Sequence, residues 1–260
     1  VAAESWCGPE IHGVTRGMNM IFDLMTPEIF LASLAIGLAA GMVKGLVGFA
    51  MPMVMISGMS MVLPPEIALA GLILPTLVTN GMQAFRFGIA EIWITMKRFR
   101  IFLLIGAVAL FSAAQLVAVL PTQLLLLIIG LSVTGFALWQ LSGFAPTPGE
   151  WSQSRILDAT IGAFAGCVGG LSGIWGPPTV AYLTAIGTPK KQQMLAQGVI
   201  YGLGAILLVV GHAKSGVLNA STLPLSLALV PPAIIGMMVG GQISDRFEQA
   251  TFRKVTLLVL

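Results

Sequence analysis

The chain has 260 residues, of which 57% are hydrophobic and 9% are charged, with a formal net charge of +3. A typical soluble domain carries about 25% charged residues, so this composition excludes a soluble globular protein and predicts an integral membrane protein. The Lys and Arg residues lie in short runs between long uncharged stretches rather than in one basic patch, so we expect no nucleic acid partner. The two cysteines, Cys7 and Cys167, offer neither a disulfide framework nor a metal-ligand set, and the sequence predicts no metal site and no cofactor.

Residues 1–27 are mixed in composition, and we interpret them as a surface segment with a short interfacial helix near Met18–Met25. They lack the basic start and apolar run of a cleavable signal peptide. Thr26-Pro27-Glu28 then predicts a helix start, with an N-cap hydroxyl, a proline in the first turn and an acid facing the positive helix end. The first membrane segment follows, from Ile29 to about Val62, and it is longer than the roughly 20 residues that cross a bilayer.

A glycine-rich stretch, Gly41–Pro52, interrupts this first segment, and it recurs as Gly166–Pro177, 125 positions later. Glycine weakens a helix interior and proline removes a donor, so each helix should break near Pro52 and Pro177. At bilayer depth, broken backbone is tolerated only where protein buries it or where it lines a cavity. Paired breaks in two halves of a chain are typical of a transporter's binding site, and we interpret the chain as a duplicated transporter.

Uncharged spans follow each break. In the first half they are predicted at Ile67–Phe85, Ile101–Leu120 and Thr122–Leu141, with a basic cytoplasmic loop from Arg86 to Arg100. In the second half they are predicted at Gln192–Gly211 and Leu223–Ser244, and a charged loop, Asp245–Lys254, precedes a short apolar end. The predicted organisation is one transporter domain over residues 1–260, divided into a surface segment (1–27), repeat 1 (28–141), a linker (142–154) and repeat 2 (155–260).

The distribution of Lys and Arg distinguishes two topologies. If each broken segment crosses the membrane once, the basic residues outside the membrane divide seven to five between the two sides; if each returns to its own side as a re-entrant hairpin, they divide ten to two. The positive-inside rule favours the second arrangement, in which each repeat has a re-entrant element and three spans. An odd number of crossings inverts one half relative to the other. The predicted fold is therefore an all-α polytopic membrane protein of two inverted repeats.

The glycine-rich segments ending in Pro52 and Pro177, the duplicated order of spans, and the short ends Arg86-Phe87-Gly88 and Lys214-Ser215-Gly216 resemble the sulfite exporter TauE/SafE family of membrane permeases. The resemblance covers residues 28–260. It implies a multi-pass protein of the cell (inner) membrane whose partners are the lipid bilayer and a small sulfur-containing anion, such as sulfite or an organosulfonate like sulfoacetate. The family generally moves its anions outward, and uptake of the same class of anion is the alternative; the oligomeric state stays open.

Lys44 is the one formal charge within the predicted spans, and it stands where the second copy of the stretch has Gly169. A charge at membrane depth marks a functional site by default. A cation beside glycine N–H groups and half-helix N-termini is what an anion needs in order to leave water. The alternative is a structural lysine that snorkels to the interface or offsets a helix C-terminus.

Polar side chains also lie at helical spacing on the spans that follow the breaks: Asn80, Gln83 and Arg86 in the first half, Gln197 and Tyr201 in the second. Such stripes are expected to face protein or water, and interhelical hydrogen bonding is the alternative to substrate binding. The predicted substrate-binding residues are Lys44, Gly45, Gly48, Phe49, Asn80, Gln83, Arg86, Gly173, Trp175, Gly176, Gln197 and Tyr201. No catalytic residue is predicted.

A different class of function is an intramembrane serine protease, because Gly170-Leu-Ser-Gly173 matches G-x-S-G, with Ser172 as nucleophile and His212 as base. The same segment recurs at Gly45–Gly48 without a serine, so a backbone role explains the glycines more simply. The sequence therefore favours a transporter over an enzyme, and we expect His212 to be interfacial. A P-loop is absent from the sequence, which leaves ATP-driven transport by this chain unsupported.

Overall fold

The structure is a computed structural model that describes residues 17, 20–141, 149, 151–248, 251–252 and 254–256. These residues form helices and turns, without a strand among them. The helices are α1 (Pro27–Val47), α2 (Met51–Met59), α3 (Pro65–Phe85), α4 (Ile89–Arg98), α5 (Arg100–Leu116), α6 (Thr122–Leu141), α7 (Arg155–Ser172), α8 (Gly176–Ala185), α9 (Lys190–Ser215), α10 (Leu223–Ala228) and α11 (Val230–Ser244). Most of the predicted linker, 142–154, lies outside the described residues.

Several of these helices have the length and composition of membrane spans. Within the described residues, α1, α3, α9 and the combined α10–α11 segment are long and apolar enough to cross a membrane. A fifth span results if α4 and α5 are taken together, although the two meet at an angle of 81°. The predicted class, an all-α polytopic membrane protein, is confirmed.

Both helix breaks lie where the repeated stretch predicts them. α1 ends at Gly48, whose φ is +85°, and α7 ends at Gly173, whose φ is +74°. Glycine adopts this left-handed conformation at no steric cost, which is why it terminates helices in this way. In both copies the next helix begins three residues after this glycine, with Pro52 and Pro177 in the first turns of α2 and α8.

The remaining glycines of the repeated stretch serve packing rather than the break. Gly41 and Gly45 lie inside α1, against the backbone of α11. A Cβ atom on Gly41 would lie 2.2 Å from the carbonyl oxygen of Ala233, and one on Gly45 would lie 2.3 Å from that of Met237. Small residues four apart let two membrane helices approach this closely. Gly41 and Gly45 therefore have a packing role that the sequence did not predict.

The second copy uses its glycines in the same way, on a different helix. A Cβ atom on Gly166 of α7 would lie 2.3 Å from the carbonyl oxygen of Gly106, and one on Gly170 would lie 2.4 Å from that of Leu110, both in α5. The first helix of each repeat thus packs against a later helix of the other half, α1 on α11 and α7 on α5, while α3 packs against α9.

Each broken pair folds back on itself. At the start of the second pair, the Trp151 N–H donates to the carbonyl oxygen of Ala185, at the end of α8, with a distance of 3.0 Å. The Tyr182 hydroxyl of α8 donates to the Asp158 carboxylate near the start of α7. In the first pair, a Cβ atom on Gly58 of α2 would lie 3.1 Å from the side chain of Ile36 in α1. In each pair the second helix therefore runs back along the first.

Contacts between helix ends define two ends of the bundle. At one, the Arg86 end, Arg86 pairs with Asp245, and the Lys190 ammonium donates to the carbonyl oxygen of Ser244 at 3.0 Å. At the other, the Glu66 end, the Thr122 hydroxyl donates to the Glu66 carboxylate at 3.0 Å. Lys190 begins α9 and Asp245 follows α11, so α9 starts and α11 finishes at the same end of the bundle.

Two local predictions were wrong. The predicted loop between Arg86 and Arg100 contains α4, because its charges sit where a helix tolerates them: Glu91 in the first turn, Lys97 and Arg98 in the last. His212 was expected at the interface but is fully buried, since α9 continues four residues beyond the predicted end at Gly211.

Candidate functional site

The two breaks meet and enclose a small space of about 10 Å³, which we call the break chamber. That volume is about enough for one water molecule. Its lining includes residues from both copies of the repeated stretch and from α3 and α9: Lys44, Phe49, Ala50, Pro52, Met53, Asn80, Gly173, Ile174, Trp175, Gly176, Pro177 and Tyr201. Nine of these are predicted site or break residues, which the fold brings together from distant parts of the sequence.

Lys44 lies in the last turn of α1 and is 2% exposed. Its ammonium donates to the side-chain oxygen of Asn80 in α3. The Asn80 amide nitrogen in turn donates to the carbonyl oxygen of Tyr201 at 3.3 Å. These contacts hold the cation at the junction of α1, α3 and α9.

No acidic side chain pairs with Lys44 among the described residues, whose one ion pair joins Arg86 and Asp245. The N-termini of α2 and α8 begin at the chamber, so their positive ends add to the charge of Lys44. The C-terminal end of α1 offsets part of it, and Asn80 contributes one neutral oxygen. A buried charge is costly without a counter-charge, so this arrangement favours an anion.

Two glutamines surround Gly48, the glycine that ends α1. The Gln83 amide nitrogen donates to the carbonyl oxygen of Met194 at 2.9 Å. The Gln197 amide, in the orientation that satisfies both its atoms, donates to the carbonyl oxygens of Gly48 at 3.2 Å and Val47 at 3.3 Å. Asn80 and Gln83 of α3 and Gln197 and Tyr201 of α9 therefore face inward, as predicted. Gln197 binds the broken backbone of α1, whereas Gln83 binds the backbone of α9.

A larger cavity of about 300 Å³ reaches Lys44 from the Arg86 end, and we call it the vestibule. Its lining is Lys44, Gly45, Met82, Gln83, Arg86, Phe87, Met194, Met237, Met238, Gly241, Gln242 and Asp245. Lys44 is the one residue that lines both the vestibule and the break chamber. The volume lies at the lower limit of typical small-molecule pockets, which is ample for a small anion.

Arg86 lies at the exposed mouth of the vestibule rather than beside Lys44. One of its guanidinium nitrogens donates to both Asp245 carboxylate oxygens, at 3.0 and 2.8 Å, and both side chains are more than half exposed. Sequence reasoning missed Asp245, the methionine walls and Gln242. Gln242 had a signal, since Gly-Gly-Gln at 240–242 parallels Ala-Ala-Gln at 113–115.

Among the described residues, Asp158 is a second buried residue of a charged type, outside the predicted spans. It is 5% exposed and lies in the first turn of α7. It accepts the Tyr182 hydroxyl, and the Gln153 amide nitrogen lies 3.5 Å from it. Asp158 stands at the start of α7, whereas the break chamber lies beyond its end, so the carboxylate fastens the second hairpin and does not line the chamber.

The protease constellation does not form. The Ser172 hydroxyl donates to the carbonyl oxygen of Val168 at 2.7 Å, a bond within its own helix. The nearest hydroxyl partner of the His212 ring is Ser215, at 3.5 Å from Nδ1. Ser172 and His212, both among the described residues, share no hydrogen bond, so the pair lacks the contact that activates a nucleophile.

A third cavity, of about 420 Å³, lies between α5, α7 and α9. Its walls are almost entirely apolar, and Lys44 does not line it. Such walls do not suit a small anion.

Comparison with known proteins gives one result. The model of the family described as Sulfite exporter TauE/SafE matches residues 33–260. Neither the curated proteins nor the solved structures contain a match to this chain.

Proposed function

Because the chain belongs to the sulfite exporter TauE/SafE family, we propose that it exports a small sulfur-containing anion, sulfite or an organosulfonate such as sulfoacetate, by secondary transport. Membership of the family makes the protein a membrane transporter of the sulfite and sulfonate class rather than an enzyme. The particular anion and the outward direction are the parts that we propose.

One observation carries the proposed binding site. Lys44 is buried at the inner end of a cavity that opens at the Arg86 end, and it has no acidic partner among the described residues. An anion arriving through the vestibule would supply the missing counter-charge. A charge-assisted hydrogen bond from the ammonium contributes about 1.5–3 kcal/mol, roughly twice a neutral one.

The chemistry of the walls fits a sulfonate better than a bare inorganic ion. Met82, Met194, Met237 and Met238 line the vestibule, and methionine side chains adapt to irregular apolar groups. The Gln83 amide and the Lys44 ammonium lie among them and offer donors to sulfonate oxygens. A short carbon chain would then lie along the methionines while the oxyanion meets Lys44.

We also propose the inverted arrangement of the repeats. The hairpin α7–α8 has both ends at the Arg86 end, where Trp151 meets Ala185 and α9 begins. α2 instead leads into α3 beside Glu66, at the opposite end. The positive-inside rule places the Arg86 end in the cytoplasm, since ten of twelve basic residues outside the membrane fall there. The vestibule then loads from the cytoplasm, which favours export.

Counterflow in proteoliposomes tests the function. Proteoliposomes that contain the purified protein and are loaded with unlabelled sulfite or sulfoacetate should take up labelled anion in exchange faster than protein-free liposomes do. Acetate is the matched competitor, because it carries a carboxylate but no sulfur oxyanion, and it should inhibit poorly. Exchange no faster than in protein-free liposomes for both anions would contradict the proposal, and equal inhibition by acetate would remove the sulfur specificity.

A further inference from the structure

The internal repeat places a closed counterpart opposite the vestibule. The vestibule lies where α1, α3 and α11 meet, and the matching helices of the other half are α7, α9 and α5. α1 and α3 correspond to α7 and α9 with the shift of 125 positions. α5 corresponds to α11 with a shift of 127 positions. Gly45 contacts the backbone of Met237 and Gly241 in α11 in the same way that Gly170 contacts the backbone of Leu110 and Ala114 in α5.

With these shifts, the vestibule residues have identified partners. Gln242 corresponds to Gln115, Arg86 corresponds to Gly211, and Lys44 corresponds to Gly169. In the vestibule, Gln242 and Arg86 line open space. The other half places its equivalents at the Glu66 end, where α5 and α9 finish.

There the helices are closed against each other, along what we call the outer seam (Gly170, Gly211, Ala114 and Gln115). A Cβ atom on Gly211 would lie 2.9 Å from the Cβ atom of Ala114. The Gln115 amide nitrogen donates across the seam to the carbonyl oxygen of Gly211 at 3.1 Å. At its Glu66 end this half thus has a hydrogen bond and close backbone contact where the other half has the mouth of the vestibule. The apolar cavity of about 420 Å³ between the same three helices lies on the inner side of this closure, where Leu110, Trp175 and Leu207 line it.

Deeper in this half, an aromatic ring takes the place of the lysine. A Cβ atom on Gly169 would lie 2.6 Å from the ring of Trp175. Trp175 also lines the break chamber, together with Lys44. The ring therefore stands between the chamber and the outer seam.

His212 adds a second observation at the same place. It follows Gly211 and is 0% exposed, and among the described residues its Nε2 atom makes no well-aligned hydrogen bond, although the Gly170 backbone of α7 lies close to the ring. The neighbours of the adjacent Gly211 across the seam, Ala114, Gln115 and Phe111 of α5, carry no titratable group. The Lys214 ammonium, on the same helix as His212, lies over the Phe111 ring. Opening the seam would give this nitrogen water or an anion to bind.

We propose that the outer seam is the outward access route to the Lys44 site, closed in this structure, and that it opens by separation of α9 from α5. This inference rests on the proposed transport function. Trp175 closes the route on the chamber side, the Gln115–Gly211 hydrogen bond closes it on the outside, and His212 is the polar side chain that the open route exposes.

Distances between paired spin labels test the route directly. In a background with Cys7 and Cys167 replaced by Ala, Leu116→Cys and Val210→Cys place labels on α5 and α9, at positions that are 49% and 51% exposed. The matched control is the repeat-related pair Ile243→Cys and Phe85→Cys on α11 and α3, 41% and 67% exposed. During turnover in liposomes, the Leu116–Val210 distance should gain a longer population while the Ile243–Phe85 distance gains a shorter one.

A covalent lock supplies the functional arm. A bifunctional thiol reagent matched to the resting Leu116–Val210 distance should stop transport and leave sulfonate binding within about twofold. Transport that continues in the locked protein, or a protein that transports with an unchanged Leu116–Val210 distance, overturns the route while the transport function stands. A parent protein that neither binds nor exchanges sulfur anions overturns the function, and the route fails with it.

Discussion

Replacing Gly48 by alanine tests how the helix break builds the site. Gly48 has a φ of +85°, and an added Cβ atom would lie 2.1 Å from the end of the Gln197 side-chain amide and 2.6 Å from the Met194 sulfur. Gly216 is the matched control, because it also ends a helix with a φ of +83° but has nothing within 4 Å of the added atom.

The two substitutions share one cost and differ in another. A non-glycine residue in the left-handed region loses about 1–2 kcal/mol, and this loss applies to both variants. Gly48→Ala also forces Gln197 and Met194 to move, and overpacking of this kind costs about 1–3 kcal/mol more. The displaced Gln197 amide would lose its bonds to the carbonyl oxygens of Gly48 and Val47.

Thermal unfolding in detergent and sulfonate binding should therefore separate the variants. Gly216→Ala should unfold at a modestly lower temperature and bind with parental affinity. Gly48→Ala should unfold at a clearly lower temperature and lose affinity. Equal loss of stability with unchanged binding in both variants would refute the reasoning, because the clash at the break would then have no consequence.

Three further predictions concern the mouth, the second hairpin and the topology. Arg86→Ala removes an exposed ion pair worth about 0–1 kcal/mol, so the unfolding temperature should hardly move; stopped-flow binding should show slower anion association, because Asp245 then stands alone at the mouth. Asp158→Asn should cost about 1.5–3 kcal/mol in thermal unfolding and leave affinity intact, and lost affinity would place it in the site after all. Single cysteines at Met61 and Ser152 should react with impermeant reagents from opposite sides of the membrane; labelling from one side would exclude the inverted arrangement.

Sequence reasoning succeeded where the cause is local. Gly48 and Gly173 end helices through their own backbone preference, and a duplicated spacing identifies both breaks without knowledge of the fold. The polar stripes on α3 and α9 were also readable, because helical spacing alone puts Asn80 and Gln83 on one face.

It failed where the cause is distant in the chain. The vestibule needs α11 beside α1, and nothing near Lys44 in sequence indicates that Met237 or Gln242 will stand there. In the sequence alone, Gly41 and Gly45 fit a helix break as well as they fit close helix packing. Their contacts with the α11 backbone show the packing role. The burial of His212 likewise depends on α5, a helix nearly one hundred positions earlier.

The central claim is that Lys44 supplies the charge that binds the anion, and the binding affinity of purified Lys44→Met tests it most directly. Methionine keeps the length and apolar character of the side chain but removes the ammonium. Loss of one charge-assisted hydrogen bond, about 1.5–3 kcal/mol, predicts affinity for sulfite or sulfoacetate that is roughly ten- to more than a hundredfold weaker, with the protein still folded. Gly169→Lys in the same background should not restore binding, because Trp175 occupies that position. Affinity within about twofold of the parent would contradict the account and leave Lys44 as a structural residue at the end of α1.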